Sequence, residues 1–229
     1  MKHLKKFSSL KEYERYIASD EFVKPNVSLV EESDAIFYHG VIPNGVYIQH
    51  TDGTVYQIEE WTSKGFSSEE ANGVAIIDDL ASFVIAKEDA GTGLKWSNTA
   101  ELIEGVSASD SSSKLVYSGA NDTRILVELG VSPAAQACAD YTFPNGAKGY
   151  MPSVGEWKVL HNNATKVQEA LTLIGGANMF NKNSARYYWS STQYNDSKAW
   201  AWASRMDIQE IAKSTLDDYS GYTRAICAL

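Results

Sequence analysis

The chain has 229 residues, of which 44% are hydrophobic and 21% are charged, and this composition is that of a folded protein rather than a disordered or fibrous one. Its net charge of -9 works against binding to a nucleic-acid backbone, because such a surface needs clustered Lys and Arg. The N-terminal residues contain no apolar run able to form a signal-peptide core, and no stretch is long enough to cross a membrane. We therefore expect no nucleic-acid partner and no membrane span.

Metal and disulfide chemistry are also disfavoured. Two cysteines, Cys138 and Cys227, are too few for a disulfide scaffold, and the four histidines are scattered without zinc-ligand spacing. Both cysteines are flanked by alanines, which is typical of inert buried thiols. The sequence predicts no metal site and no cofactor.

The first part of the chain, residues 1–43, predicts a small adaptor. The stretch "FSSLKEYERYIAS" (7–19) places apolar residues at helical spacing behind a serine cap, which indicates a short amphipathic helix. Extended segments at 27–31 and 35–38, separated by Glu-Ser-Asp, predict a hairpin. Because elements of this size bury little core, we expect the adaptor to pack on the main domain or on a partner chain.

Strand signals lie on both sides of a helical middle. Alternating residues flank Asp52-Gly53, the strongest hairpin signal in the chain. A second pair of apolar strands is predicted at 74–77 and 82–86. The segments around 187–203 and 222–229 alternate or run apolar, as strands do.

The middle of the chain shows helical spacing. Two helical pieces are predicted between 121 and 140, broken at "GVSP" with Pro133 at a helix start. A further helix is predicted over 165–176, where Gly175 stops it. This order of elements, with strands followed by helices and then by strands, predicts that residues 44–229 form one α+β domain with antiparallel pairing.

Three stretches together resemble a known family: "GYMPSVGEWKVL" (149–160), "YYWSSTQYNDSKAWAW" (187–202) and "YTRAICAL" (222–229). They are similar to the C-type-lectin-fold variable proteins of diversity-generating retroelements, which occur in phages and bacteria, including many from gut communities. The N-terminal "FVKPNVSLVEESDAIFYH" also looks like the adaptor that precedes such domains in gut phage proteins. The resemblance covers nearly the whole chain and implies a C-type lectin fold with a small N-terminal helix-hairpin adaptor.

The resemblance also implies a function. A reverse transcriptase with adenine-directed errors rewrites the 3′ end of such genes, so a C-terminal region, here about 187–223, varies on a constant scaffold. The varied surface binds a ligand, such as a host-cell surface protein or glycan, and has no catalytic activity. Phage members carry it in the virion at a tail fibre tip, and bacterial members display it on the cell surface. The absence of an export signal favours the phage version, and a homotrimer is one expected assembly, because trimers are common at fibre tips.

Codon chemistry and strand geometry predict which residues face the ligand. Mutated adenines of an Asn codon reach Tyr, Ser, Asp, Ala, Arg and Ile but not Trp, Met, Gln, Glu or Lys, so Trp189, Trp200 and Trp202 are expected to be fixed core residues. Because side chains alternate along a strand, Ala201 and Ala203 are expected on the opposite, exposed face. The expected ligand-binding residues are Tyr194, Asn195, Asp196, Ser197, Ala201, Ala203, Ser204, Arg205, Asp207, Ile208, Asp218, Tyr219 and Tyr222.

An enzyme is one alternative. Formylglycine-generating enzymes share the fold and a motif similar to "GYMPSVGEW", but their chemistry needs two reactive cysteines at one site. Glu156 lies beside Trp157, a setting in which a glutamate can serve as a catalytic acid. The resemblance implies instead that both residues belong to the scaffold. In many C-type lectins a helix cysteine pairs with one in the last strand, so the resemblance leaves pairing of Cys138 with Cys227 open, although a protein assembled in the cytoplasm keeps them reduced.

A carbohydrate-binding adhesin of fixed specificity is the other alternative. Calcium-dependent lectins of this fold hold the ion and the sugar with a Glu-Pro-Asn or Gln-Pro-Asp loop and a Trp-Asn-Asp strand. Here "FPN" (143–145) lacks the carboxylate, and "YND" (194–196) lies in a different setting. Calcium-dependent sugar binding is therefore disfavoured.

Overall fold

The computed structural model describes residues 6–7, 29–32, 35–38, 42–109, 115–179, 186–203, 207–212 and 221–229. The chain divides into two compact units, residues 1–44 and 45–229, and the sequence had placed this boundary one residue earlier. The helix predicted over 7–19 lies outside the described residues.

The first unit contains a small antiparallel sheet. Its strands are β1 (Lys6–Phe7), β2 (Leu29–Glu32) and β3 (Ala35–Tyr38), in the order β1-β3-β2. The predicted hairpin is present, with Leu29 opposite Tyr38, and its first strand begins two residues later than the sequence indicated.

The second unit opens with a five-stranded antiparallel sheet in the order β12-β7-β6-β4-β5. Its strands are β4 (Gly45–His50), β5 (Val55–Tyr56), β6 (Ala71–Ile77), β7 (Phe83–Ile85) and β12 (Ile226–Ala228). The hairpin predicted at Asp52-Gly53 is confirmed, because Gly53 adopts a positive φ of 90° and the Thr54 amide donates to Asp52 Oδ1 at 2.8 Å. The final strand pairs with β7, so the C-terminus closes a sheet that began early in the domain.

A four-stranded sheet forms the other half of the unit, in the order β10-β9-β8-β11. Its strands are β8 (Tyr187–Gln193), β9 (Lys198–Ala203), β10 (Asp207–Ala212) and β11 (Gly221–Tyr222). The prediction of purely antiparallel pairing is wrong for one pair, because β11 enters the sheet beside the start of β8 and runs parallel to it. β10 is a strand that the sequence analysis did not predict.

Five α-helices lie in the described chain: α1 (Ile58–Lys64), α2 (Gly119–Glu128), α3 (Pro133–Asp140), α4 (Val154–Asn162) and α5 (Ala164–Leu173). The two helices predicted between 121 and 140 and the one predicted from 165 are confirmed, and α3 begins at Pro133 as expected. The sequence analysis missed α1, because "TVYQIEEW" alternates like a strand. Reciprocal capping between Gln57 and Glu60 and a left-handed Gly65 fix this helix instead.

The core lies between the two sheets, with α4 packed on the four-stranded sheet and α5 on the five-stranded one. Trp157 of α4 stacks face to face on Trp202 of β9, with ring centroids 5.4 Å apart and planes 2° from parallel. Tyr188 packs against both rings at 5.6 and 6.0 Å. The second unit is therefore an α+β fold whose sheets are joined through helices and large aromatic side chains. Among the described helices, none is long and apolar enough to cross a bilayer.

The close approach of β11 to its neighbours gives a first testable prediction. A Cβ at Gly221 would lie 2.3 Å from the Leu94 carbonyl oxygen and 2.4 Å from Trp189 Nε1. Gly221→Ala should therefore lower the free energy of unfolding by about 1–3 kcal/mol, measured by urea denaturation. Gly45→Ala is the matched control, because Gly45 also begins a strand and its added Cβ would meet only the Tyr47 side chain, at 3.3 Å or more. Equal losses in the two variants would contradict this packing.

Candidate functional site

Strand β8 is buried along its whole length, and tryptophan indoles hold it in place. Trp157 Nε1 donates to the Trp189 carbonyl at 3.1 Å, and Trp96 Nε1 donates to the Ser190 carbonyl at 2.6 Å. Trp189 in turn donates its own indole N–H to the Leu94 carbonyl at 2.8 Å. The first two bonds satisfy carbonyls of buried residues, and all three fix a neighbouring segment against the strand.

The "SST" stretch in the middle of β8 leaves the regular ladder. The register with β9 shifts between Trp189 and Gln193, so the intervening backbone is free to pair elsewhere. The Ser191 amide donates to the Pro152 carbonyl at 2.8 Å, and the first amide of α4 donates to Thr192 Oγ1 at 3.1 Å. Two of the three stretches that carry the family resemblance therefore meet at this bulge.

Gln193, the last residue of β8, anchors the 101–109 loop. Its Oε1 accepts the Ile103 amide at 2.9 Å, and its Nε2 donates to the carbonyls of Ile103 and Val106 at 3.0 and 3.1 Å. Its backbone also pairs with Ser107 and Ser109, each at 2.9 Å. One buried side chain thus satisfies three backbone groups of the loop. The polar stretch at 107–113 predicted a loop, but the sequence analysis did not assign residues 101–109 to the site. The one available signal was that Gln is unreachable from an Asn codon and so is a fixed residue.

Immediately after this anchor the chain reaches the surface in the Tyr194–Lys198 turn. Asn195 Oδ1 accepts the amides of Ser197 and Lys198 at 3.0 and 2.8 Å, and the Tyr194 amide donates to the Lys198 carbonyl at 2.9 Å. The side chains of Asp196, Ser197 and Lys198 are exposed, and Tyr194 and Asn195 are half-buried. The turn therefore presents polar groups while its own backbone is held by the Asn195 side chain.

The aromatic ring of Tyr194 rests on the sheet. It meets Trp200 edge to face, with centroids 5.3 Å apart and planes at 88°. Trp200 is itself fixed, because its Nε1 donates to the Ser109 carbonyl at 2.8 Å. The turn, the sheet and the 101–109 loop therefore meet around one tyrosine.

The expectation that Ala201 and Ala203 are exposed is wrong. Their relative exposures are 0% and 2%, and Trp200 and Trp202 on the opposite face are buried too. Strand alternation correctly separated alanines from tryptophans, but both faces of β9 are covered, so alternation could not identify an outer face. Ala201 lies opposite Trp189 and Ala203 opposite Tyr187 in the β8 ladder. These two methyl groups therefore do not belong to the exposed surface.

Tyr222 lies far from the Tyr194–Lys198 turn. It pairs with Tyr188 near the start of β8, so the two predicted tyrosines are separated by up to roughly 20 Å at 3.3 Å per residue. Its half-buried ring packs against the core, 5.5 Å from the Tyr188 ring, with the Arg186 guanidinium 5.1 Å from its centroid. The structure does not bring Tyr222 together with the residues of the turn.

The remaining predicted residues divide into two groups. Asp207 and Ile208 begin β10, opposite Ala203 and Trp202 of β9. Ser204, Arg205, Asp218 and Tyr219 lie outside the described residues. Of the thirteen predicted residues, Tyr194, Asn195, Asp196 and Ser197 are those that the structure gathers into one exposed element.

Two buried carboxyl groups lie beneath this region. Asp122 accepts hydrogen bonds from the Ser107 amide and the Ser191 hydroxyl, and Glu156 caps α4 by accepting from the amide and hydroxyl of Ser153. Burial raises the pKa of both carboxyls, although these hydrogen bonds act in the opposite direction. The donors to both carboxyls are residues of the scaffold. Because its donors are the amide and hydroxyl of Ser153, Glu156 acts as the cap of α4.

Both thiols are free and buried, with Cys138 on α3 and Cys227 in β12. Burial raises the pKa of each thiol to about 12. Neither is therefore a thiolate at neutral pH. Across the described ranges, no group of three or more His, Cys, Asp or Glu side chains is arranged to hold a metal ion.

These features define an α+β domain in which a buried sheet carries an exposed polar turn. In fold, the chain is similar to a fimbrial protein from Bacteroides ovatus ATCC 8483 of known crystal structure, with a TM-score of 0.59 and 14% sequence identity over 82% of this chain. The chain covers 49% of the length of that protein, so the likeness extends over about half of it. No protein-family model matches the chain, and a comparison with curated proteins finds no match.

The buried carboxyls predict a dependence of stability on pH. Because the pKa values of Asp122 and Glu156 are raised in the folded chain, their contribution to stability is complete below the ordinary carboxyl pKa of about 4 and is lost as pH rises through the folded-state values. The free energy of unfolding should therefore be higher at pH 5 than at pH 8. Glu156→Gln should reduce this difference in urea denaturation, whereas Glu128→Gln on the exposed face of α2 should leave it unchanged. A larger pH difference in Glu156→Gln would contradict the assignment.

The Gln193 anchor gives a separate prediction. Gln193→Leu should lower the free energy of unfolding by about 2 kcal/mol or more, because backbone groups of Ile103 and Val106 lose their partners in a buried site. Hydrogen exchange at the Ile103 amide should also accelerate. Gln136→Leu, on the exposed face of α3, is the control and should change stability by less than about 0.5 kcal/mol. Unchanged exchange at Ile103 would show that Gln193 does not hold the loop.

Proposed function

We propose that this chain is a surface-displayed ligand-binding protein without catalytic activity, and that the Tyr194–Lys198 turn is part of its contact surface. The observation that carries the proposal is the abrupt change from a strand buried at every residue to a turn with three consecutive exposed side chains. Because Gln193 and Trp200 are fixed on either side of this turn, substitutions of the exposed Asp196, Ser197 and Lys198 side chains cost little stability. A rigid support under a replaceable polar element is the arrangement that a binding protein needs.

The chemistry of the turn suits recognition of a macromolecular surface. Tyr194 offers a large amphipathic ring with few rotatable bonds, and Asp196 and Ser197 offer short polar groups. Asn195 differs from them, because its side-chain oxygen already accepts two backbone amides of the turn. Tyr194, Asp196 and Ser197 are therefore the ligand contacts we propose, and Asn195 is a positioning residue.

The finer identity that we propose is a C-type-lectin-fold variable protein of a diversity-generating retroelement. The support for it is the meeting of "GYMPSVGEW" and "YYWSST" at the β8 bulge, together with a surface turn of four residues that an Asn codon can reach, two of them half-buried and two exposed. The resemblance favours display at a phage tail fibre tip, as a homotrimer, with a host-cell surface protein or glycan as ligand. The fimbrial neighbour favours display on a bacterial surface.

A fixed-specificity adhesin is the second candidate. The burial of Ala201 and Ala203 favours it, because fewer of the predicted positions can change without disturbing the sheet. The formylglycine-generating type of enzyme is less well supported, since two buried thiols with pKa values of about 12 do not supply a nucleophilic thiolate.

Sequencing the DNA next to the gene distinguishes the first two candidates. A reverse-transcriptase gene accompanied by a near-copy of the 3′ segment, differing at adenines, is the result that the retroelement proposal predicts. A flanking region without either feature would leave the fixed-specificity adhesin as the better account.

The binding surface can be tested with the protein itself. Fluorescently labelled chain is incubated with a panel of intact gut bacterial cells, and bound fluorescence is measured by flow cytometry. Tyr194→Ala and Asp196→Asn should each reduce binding roughly tenfold. The melting temperature should change little in Asp196→Asn, because that side chain is exposed, and should fall in Tyr194→Ala, because the half-buried ring packs on Trp200. Lys148→Ala, in an exposed hairpin elsewhere, is the control. Retained binding in both turn variants would exclude the turn as a contact.

A further inference from the structure

We infer that the binding surface is composite, that the 101–109 loop forms its second wall, and that its partner is a basic polypeptide segment with an apolar residue at its centre. This inference rests on the proposed function of the Tyr194–Lys198 turn. It adds a set of contacts outside the predicted variable region and a chemical class for the ligand.

Hydrogen bonds hold the 101–109 loop against the strands on both sides of the Tyr194–Lys198 turn. Three hydrogen bonds from the Gln193 side chain reach the backbone of Ile103 and Val106, and Ser109 receives the Trp200 indole. Gly105, with a positive φ of 79°, bends the loop so that Ile103 and Val106 are buried while the residues beside them remain exposed. The Gln193 backbone also bonds to Ser107 and Ser109 directly, so the loop lies against the end of β8, where the turn begins.

An apolar centre is available on this surface. Leu102 is 58% exposed, and it directly precedes the residue whose amide Gln193 accepts. A single exposed leucine is ordinary in a protein surface, so its position matters more than its exposure. On the other side of the Gln193 anchor, the next residue along the chain is Tyr194, whose ring is half-buried. A leucine on the loop and a tyrosine on the turn each offer an apolar side chain of a partner a surface to pack against.

The charges around this centre favour a cationic partner. Within residues 101–109 and 194–198, the charged side chains are Glu101, Glu104, Asp196 and Lys198, which leaves an excess of two negative charges. All four are exposed. The net charge of the chain, -9, adds a longer-range attraction of the same sign. Exposed acidic groups in the same loop and turn as apolar side chains complement a polypeptide that carries Lys or Arg around an apolar residue.

The chain contains a matched control for both features. Asp79 and Leu80 form an exposed acidic-leucine pair in the turn between β6 and β7, and Leu80 is 59% exposed. Leu102→Ser can therefore be compared with Leu80→Ser, and Glu104→Lys with Asp79→Lys. Each comparison changes the same chemistry on a different part of the same domain.

The test uses the full chain, immobilised, and a random dodecapeptide library displayed on phage. Enriched peptides should be rich in Lys or Arg around an apolar residue, and salt should weaken their binding. Fluorescence anisotropy with synthetic copies should show roughly tenfold weaker binding to Leu102→Ser and Glu104→Lys and no loss with Leu80→Ser or Asp79→Lys.

The outcomes separate this inference from the proposed function. Enrichment of neutral or acidic peptides, or no enrichment over the bare support, would overturn the inference. The inference would also be overturned if the peptides bound Tyr194→Ala more weakly but bound the two loop variants and the two control variants equally well. That result would still leave the turn as a binding element. Peptides that respond to neither the turn nor the loop variants would contradict both proposals.

Discussion

Hydrogen bonds from tryptophan indoles to backbone carbonyls around β8 are the interactions on which the rest of the second unit depends. Trp157 ties α4 to the strand, Trp96 ties the segment before α2 to it, and Trp189 ties the strand to Leu94. The bulge at "SST" breaks the ladder with β9 and leaves buried backbone groups that need other partners. The indoles and the Pro152 carbonyl supply them, so helices, loops and strands converge on one buried strand.

This convergence determines where the surface can change. A residue inside β8 or β9 is packed on both faces, and a substitution there leaves a cavity or a clash. The Tyr194–Lys198 turn stands just outside the region that Gln193 and Trp200 fix, and its side chains reach solvent. Stability and recognition therefore belong to adjacent residues. Up to Gln193 the strand supports the fold, and the Tyr194–Lys198 turn that follows it is available to a partner.

Much of the α+β fold could be predicted from local signals. Asp52-Gly53 and Pro133 mark a turn and a helix start by their backbone chemistry alone, and both are confirmed. Helix α1 was missed although its signals are also local. Its sequence alternates like a strand, and capping by Gln57 and Glu60 with a left-handed Gly65 makes it a helix.

The candidate site was predicted in part for the same reason. Codon chemistry and polarity identified the exposed residues of the turn, because these properties belong to each residue separately. Burial of Ala201 and Ala203 could not be foreseen, because it depends on what covers the second face of the sheet. The 101–109 loop was not assigned to the site because its contact with Gln193 joins residues about ninety positions apart.

The central claim is that a fixed buried sheet carries a replaceable turn, and saturation mutagenesis of residues 187–203 tests it most directly. Every single substitution is displayed on yeast and scored for resistance to protease, which reports the folded fraction. The account predicts that Asp196 and Ser197 accept most substitutions, whereas Trp189, Ala201 and Ala203 accept almost none. Uniform tolerance across the segment, or tolerance of large side chains at Ala201 and Ala203, would contradict it.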